Sequence, residues 1–279
     1  MKTILEAPMR DLNYPEIAKD ISRWIGEKSL DKGLVVGVSG GIDSAVVSTL
    51  SAMSGKALTC LELPIHQKTD EVNRAREHID WLQQKYTQVT RQIIDLTQVY
   101  DAMQALQYPG DDEASEYLSD VNLRSRLRAA QLYATANRKN ALVVGTGNKV
   151  EDYGIGFFTK YGDGAVDLSP IGELTKSEVY KLGRELGIHE DILNARPTDG
   201  LHPSGATDED QIGASYDELE WAMNAYDIGK RISDYSGRAQ EVMKIYTERH
   251  EGNAHKMHMP PVYQVLDPQK GPEHYGVHQ

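Results

Sequence analysis

The chain has 279 residues, 39% of them hydrophobic and 26% charged, a formal net charge of −12 and one cysteine. That is enough chain to bury a full core, and no apolar run approaches the length of a membrane span. The acidic balance excludes nucleic-acid binding through a global basic field. The lone Cys60 excludes an intramolecular disulfide, and the N-terminal residues lack the apolar stretch of a signal peptide, so the cytoplasm is the expected compartment.

In chain order, Ile17, Ile21, Trp24 and Ile25 recur at helical spacing, with Pro15 suited to a first turn. The run LVVGVS at 34–39 is β-branched and stops at glycines, which predicts a buried strand followed by a helix over GIDSAVVSTLSAM. ALTCLELP at 57–64 reads as a second strand, with Cys60 buried in it rather than acting as a thiol nucleophile. A helix over DEVNRAREHIDWLQQ, a third strand at 90–96, a helix over 120–137, a fourth strand at 141–147 and a helix at 175–186 complete the series. Strands that are apolar almost throughout, alternating with helices, predict an α/β fold: a doubly wound parallel sheet flanked by helices. No repeat and no long linker divides residues 1–279, so a single domain is expected. Residues 108–117 and 197–213 are rich in glycine, proline and acid and read as mobile, the second as a lid. The C-terminal tail also reads as mobile.

The strongest motif is strand–SGGIDS–helix. Gly40 and Gly41 let the backbone turn tightly and approach a ligand. Amides at a helix N-terminus, with the Ser39 and Ser44 hydroxyls, form an anion site. Asp43 would repel phosphate by itself, but makes sense if it holds a Mg²⁺ that bridges phosphates. The pattern is not the Walker type, because no Gly-Lys-Ser/Thr follows. Further on, Lys176 opens a helix, where the dipole disfavours a cation, so an anion is expected beside it. Asn122, Arg126 and Tyr133 share a face of the 120–137 helix beside an apolar stripe of Leu123, Leu127, Ala130 and Ala134, as in a helix that lines a groove. His250, His255, His258, His274 and His278 have no metal-ligand spacing.

The SGGIDS loop resembles the pyrophosphate loop of the ATP pyrophosphatase group. With GTGNKVED, FFTKYGDGAVDLSPIGELTKSEVYKLG and NLRSRLRAAQLY, the chain resembles the ammonia-dependent NAD synthetases from about residue 15 to 262. The resemblance implies an adenine-nucleotide α-hydrolase-like fold and ATP-dependent amidation of deamido-NAD with ammonia, through an acyl-adenylate. It implies that Gly37, Val38, Ser39, Gly40, Gly41, Ile42, Asp43 and Ser44 wrap ATP, with Thr146, Lys176 and Thr198 touching it. Mg²⁺ would sit on Asp43 and Glu151. Arg126, Tyr133, Lys160, Asp167, His255 and Lys256 would bind deamido-NAD, with Asp163 near the entering ammonia. A homodimer is implied, with the dinucleotide site shared between subunits, and neither nucleic acid nor membrane is an expected partner.

Four departures from that pattern stand out. One extra residue precedes Gly156-Phe157, so Glu151 and Asp152 compete for the metal, Glu151 being preferred. Glu62 stands where an arginine is expected before Leu63-Pro64, and Pro197-Thr198-Asp199 lacks the usual small residue before the aspartate. The stretch 222–250 is longer than expected and has no role. Nicotinate mononucleotide, or another carboxylate, is the alternative substrate for the same chemistry. A nucleotide-binding regulatory module is the alternative outside catalysis, against which the intact Asp43, Glu151 and Lys176 argue. Ammonium rather than glutamine is the expected nitrogen source, because no amidase region with a nucleophilic cysteine is seen.

Overall fold

The computed structural model describes Leu5 and residues 10–67, 69–197 and 207–263. Four strands form one parallel sheet: β1 (Gly33–Gly37), β2 (Leu58–Glu62), β3 (Val89–Ile93) and β4 (Ala141–Val143), in the order β3-β2-β1-β4. Side chains alternate across it. Leu34, Val36, Leu58 and Cys60 point into a core with α1 (Tyr14–Lys28), α2 (Ile42–Met53), α3 (Thr69–Lys85) and α6 (Lys176–Leu186). Val35, Leu61 and Val143 point the other way, against α4 (Thr97–Gln104) and α5 (Glu113–Lys139). The sheet is therefore covered on both faces, and Cys60 is a buried core thiol.

The chain runs outward from β1 to β3, then returns to place β4 on the far side of β1. The order reverses beside β1, and ligands bind at such a point, beyond the strands' carboxyl ends. The strands are shorter than their apolar runs. Their continuations leave the ladder as loops but stay tethered: the Val38 amide donates to the Leu61 carbonyl (2.9 Å) and the Gly145 amide to the Leu168 carbonyl (2.7 Å).

Three sequence expectations need correction. The helix predicted at 120–137 begins at Glu113, because Asp112 caps it in a reciprocal box with Ser115. Half of the supposed mobile stretch at 108–117 is thus helix. Residues 222–250 lie in α9 (Tyr216–Asp227), a 3₁₀ turn (Ile232–Asp234) and α10 (Gly237–Met257). With α7 (Glu190–Leu193) and α8 (Asp208–Ile212) these complete the helices. A second apolar cluster, including Tyr216, Leu219, Met243 and Tyr246, buries α9 and α10 against a π-helical turn at Lys149–Ile155. No helix among the described residues is long and apolar enough to cross a membrane.

One core polar contact makes stability depend on pH. His78 of α3 lies 2.9 Å from the Ser48 hydroxyl of α2 and stacks on Trp81. Burial pushes its pKa from the ordinary 6.5 down to about 4. The folded-state value is depressed, so its contribution is complete above pH 6.5 and is lost as pH falls towards 4. The loss should be about 3 kcal/mol. Denaturant melts at pH 7.5 and 4.5 measure it: His78→Gln should lose less stability over that interval than the parent, and equal losses would show that His78 does not titrate this way.

Candidate active site

The phosphate-type loop is shaped by one glycine and left open by another. Gly40 has φ +86°, and a Cβ there would lie 2.6 Å from the Glu71 carbonyl of α3. Gly41 is the N-cap of α2 and offers no side chain, so the first-turn amides are not satisfied by a cap. The Ser44 hydroxyl donates to the Gly41 carbonyl (3.0 Å) and accepts from the Ser39 amide (3.2 Å), closing the loop on itself. The result is a rigid ring of amides at a helix N-terminus, a site for an anion.

Lys176 meets an anion, as its place at the start of α6 predicts. It is buried, and its Nζ donates to Asp43 (2.6 Å) and Glu151 (2.9 Å). Burial opposes its charge, but Asp43 and Glu151 outweigh burial and hold its pKa above the ordinary value. Burial keeps Asp43 above the usual carboxylate range despite Lys176. For Glu151, burial is outweighed by Lys176, the Tyr216 hydroxyl and Asn148, and its pKa falls. Asn148 ties the pair together: its Nδ2 donates to Asp43 (3.4 Å) and its Oδ1 accepts the Val150 and Glu151 amides (3.1 Å each).

The segment before Gly156, where an extra residue is expected, is a π-helical turn at Lys149–Ile155. A π turn is what an α-helix becomes when one residue is inserted. Adjacent residues of a helical turn point in different directions, and here the two carboxylates part. Glu151 joins Asp43, whereas Asp152 lies against Gly147, where a Cβ would come within 1.8 Å of its Oδ2. Burial, then Asp163, Glu151 and Asp43, push the Asp152 pKa well above the ordinary range. Two converging carboxylates with room for phosphate oxygens suit Mg²⁺. Among the described residues no group of three His, Cys, Asp or Glu side chains could hold a metal alone. Asp43 and Glu151 would therefore hold the ion together with a phosphate ligand.

These groups line one cavity of about 610 Å³ beyond the ends of β1 and β4. Thr146, Asp163 and Lys176 line it, as does Lys256. Asp163 is exposed at the cavity's edge and is held there by the Ser125 hydroxyl (2.7 Å) and the Thr159 amide (2.9 Å); crowding by the surrounding loop desolvates its carboxyl and raises its pKa. Five expected substrate residues do not line this cavity: Arg126, Tyr133, Lys160, Asp167 and His255. Instead they form two groups outside it, Arg126–Lys160–His255 and Tyr133–Asp167. Arg126 donates to the Lys160 carbonyl (3.3 Å), Lys160 Nζ to the His255 carbonyl (2.6 Å) and the Tyr133 hydroxyl to Asp167 (3.2 Å). The α5 face turned to the cavity carries Asn122, Ser125, Ala129 and Leu132. Arg126 and Tyr133 stand past its edge, so this cavity takes in Asn122 but not the other two residues of the expected groove face. Thr198 lies outside the described residues, as do the tail's His274 and His278.

Glu62, found where an arginine is expected, is buried at the end of β2 and paired with Arg91 of β3, Nε to Oε1 at 2.5 Å. The neighbouring strand supplies the cation there. Sequence reasoning misses Arg249, which lines the cavity, and Tyr216, which stands behind it. The Tyr216 hydroxyl donates to Glu151 (2.6 Å) beneath Lys176. Its signal was present, because Ser215 and Glu218 form a capping box that starts α9 at this tyrosine.

The NAD synthase family model matches residues 15–260. An NH3-dependent NAD(+) synthetase of Methanosarcina acetivorans is 39% identical over 237 residues, which cover 82% of this chain and 89% of that one. One of Alkaliphilus metalliredigens is 38% identical over 261 residues, covering 88% and 98%. Among solved structures, the NMN synthetase from Francisella tularensis matches with a TM-score of 0.76 and 31% identity, over 93% of this chain and 100% of that one.

Proposed function

The chain belongs to the NAD synthase family, and we propose that it amidates deamido-NAD to NAD with ammonia and ATP, releasing AMP and pyrophosphate. It is an enzyme of the carbon–nitrogen ligase type. The observation that carries the proposal is Lys176 held between Asp43 and Glu151 at the mouth of the glycine loop.

A carboxylate is a poor electrophile and needs activation before ammonia can displace oxygen from it. In the proposed reaction a nicotinate oxygen attacks the α-phosphorus of ATP, and pyrophosphate leaves. Ammonia then adds to the acyl-adenylate and AMP departs. The amides and hydroxyls at residues 39–44 hold the leaving pyrophosphate. Lys176, kept protonated by its two carboxylates, neutralises charge that develops on the phosphates. Asp43 and Glu151 would hold a Mg²⁺, which would supply Lewis-acid stabilisation of the same charge. Asp163 lies near the reacting carboxyl in this reading, and its raised pKa suits it to take a proton from incoming ammonium.

Nicotinate mononucleotide is a second substrate worth testing, for a specific reason. Five of the six residues assigned to the dinucleotide lie outside the cavity, so the far half of deamido-NAD would need that outer surface. We propose that a second copy of the chain completes it, in a homodimer. A mononucleotide would need no such completion, and the Francisella relative is described as an NMN synthetase.

Mass spectrometry decides between these. The protein is incubated with ATP, Mg²⁺ and ammonium, and with either deamido-NAD or nicotinate mononucleotide. The expected result is NAD and AMP in equal amounts from the dinucleotide, at a higher rate than the mononucleotide product. A faster mononucleotide reaction would reassign the substrate. ADP in place of AMP would overturn the adenylation chemistry, and efficient use of glutamine in place of ammonium would overturn the nitrogen source.

A further inference from the structure

The buried stripe of α10 changes character along its length. Val242, Met243 and Tyr246 anchor the helix in the second apolar cluster. The same stripe continues at helical spacing through Arg249, Asn253 and Lys256, and these three line the cavity. A helix that turned this face only to a core would have continued it with apolar residues.

Two of the three are employed locally. Asn253 donates to the Ile155 carbonyl (2.9 Å), and Lys256 Nζ to the Gly156 and Phe158 carbonyls (2.9 Å each), clamping the end of the π-helical turn. Arg249 is employed far less. Its Nη2 donates to the Gln211 carbonyl of α8 (3.2 Å), which uses one of the five N–H donors of a guanidinium. No ion pair joins Arg249 to a carboxylate among the described residues. Burial depresses its pKa with nothing opposing. Burial depresses that of Lys256 too; Asp163 partly offsets this, while Arg249 adds to it.

A cation withdrawn from water without a counterion is costly. Two that repel each other on one helix face add to that cost, and an arriving anion relieves it. An arginine with its fork unspent matches the tetrahedral oxygens of a phosphate. We propose that Arg249 is a phosphate-binding residue of the active-site cavity, holding a phosphate of one of the two nucleotides from the wall formed by α10. This rests on the adenylating reaction proposed above. The phosphate belongs either to the ATP chain or to the nicotinate nucleotide, and kinetics separates the two.

The test compares Arg249→Gln and Arg249→Lys with the parent protein. KM is measured for ATP and for the nicotinate nucleotide separately, with inhibition by inorganic pyrophosphate and thermal midpoints recorded alongside. The glutamine variant should raise one KM about tenfold or more, with a smaller change in kcat. The lysine variant keeps the charge but not the fork, and should fall between it and the parent. A raised KM for ATP with weaker pyrophosphate inhibition assigns Arg249 to the ATP chain; a raised KM for the nicotinate nucleotide alone assigns it to the other substrate. A tether to Gln211 would lower the thermal midpoint and leave both KM values within twofold, and that result overturns the proposal. Should the glutamine variant fail to fold, a lysine variant with both KM values and pyrophosphate inhibition unchanged overturns it equally. If the parent itself releases no AMP, the reaction assignment fails instead, and pyrophosphate binding measured by calorimetry on the parent and Arg249→Lys still tests Arg249.

Discussion

Asp43→Asn should leave the protein folded and lower its turnover roughly 30- to 150-fold, about 2–3 kcal/mol of transition-state stabilisation. The substitution is nearly isosteric and removes one negative charge from a buried cluster of three charged groups. Lys176 keeps Glu151 at 2.9 Å, so its ammonium retains a counterion. For that reason the thermal midpoint should move little, whereas breaking a buried pair outright would cost several kcal/mol. What the variant loses is a carboxylate facing the proposed metal position, so the deficit should be largest at low Mg²⁺ and shrink as Mg²⁺ rises. Initial rates across a magnesium titration, with melts in parallel, measure both halves of the expectation. Near-normal turnover at limiting Mg²⁺ from a folded Asp43→Asn protein would refute the role assigned to this carboxylate.

The parts of this site legible in the sequence are those fixed by local chemistry. SGGIDS sits between a β-branched run and a helix, so its glycines and first-turn amides can be placed without knowing any neighbour. Lys176 is legible for a similar reason: a cation at the start of a helix is anomalous, and the anomaly points to an anion. That the anions in the structure are Asp43 and Glu151, 133 and 25 positions away, follows only from the fold. Which of Glu151 and Asp152 meets Lys176 could not be read from sequence, because the two are adjacent and only the folded turn at Lys149–Ile155 shows which way each faces. Helical spacing puts Asn122, Arg126 and Tyr133 on one side of α5 but cannot say where the cavity face is centred; that face runs through Ser125 and Ala129 and leaves Arg126 and Tyr133 past its edge. The roles of α9 and α10 were hidden because Tyr216, Glu220 and Tyr246 interrupt the apolar residues of their buried faces, and the face of α10 continues through the half-buried Arg249. Such a stripe looks like a solvated face until the cavity it lines is known.

Gly40→Ala should damage both stability and nucleotide binding, and the cause can be separated with a second glycine. At Gly40 the backbone is left-handed, φ +86°, which costs an L-residue roughly 1–2 kcal/mol. The added Cβ would also lie 2.6 Å from the Glu71 carbonyl and 3.1 Å from the Ala75 amide nitrogen. Both are backbone atoms of α3, which cannot rotate away as a side chain could. Relief requires either α3 or the loop to move, and overpacking of this kind costs about 1–3 kcal/mol more. Movement of the loop would disturb the ring of amides at the start of α2, and the Arg74 bond to the Gly40 carbonyl (3.3 Å) would be strained with it. Gly55 supplies the control. Its φ is +77°, and nothing lies within 4 Å of an added Cβ, so Gly55→Ala carries the backbone strain without the clash. Denaturant melts should show Gly55→Ala losing about 1 kcal/mol and Gly40→Ala clearly more, with a raised KM for ATP in Gly40→Ala alone. Equal losses of stability in the two variants, with ATP binding intact in both, would mean that α3 does not press on the loop, and that the loop's shape comes from its backbone conformation rather than from its neighbour.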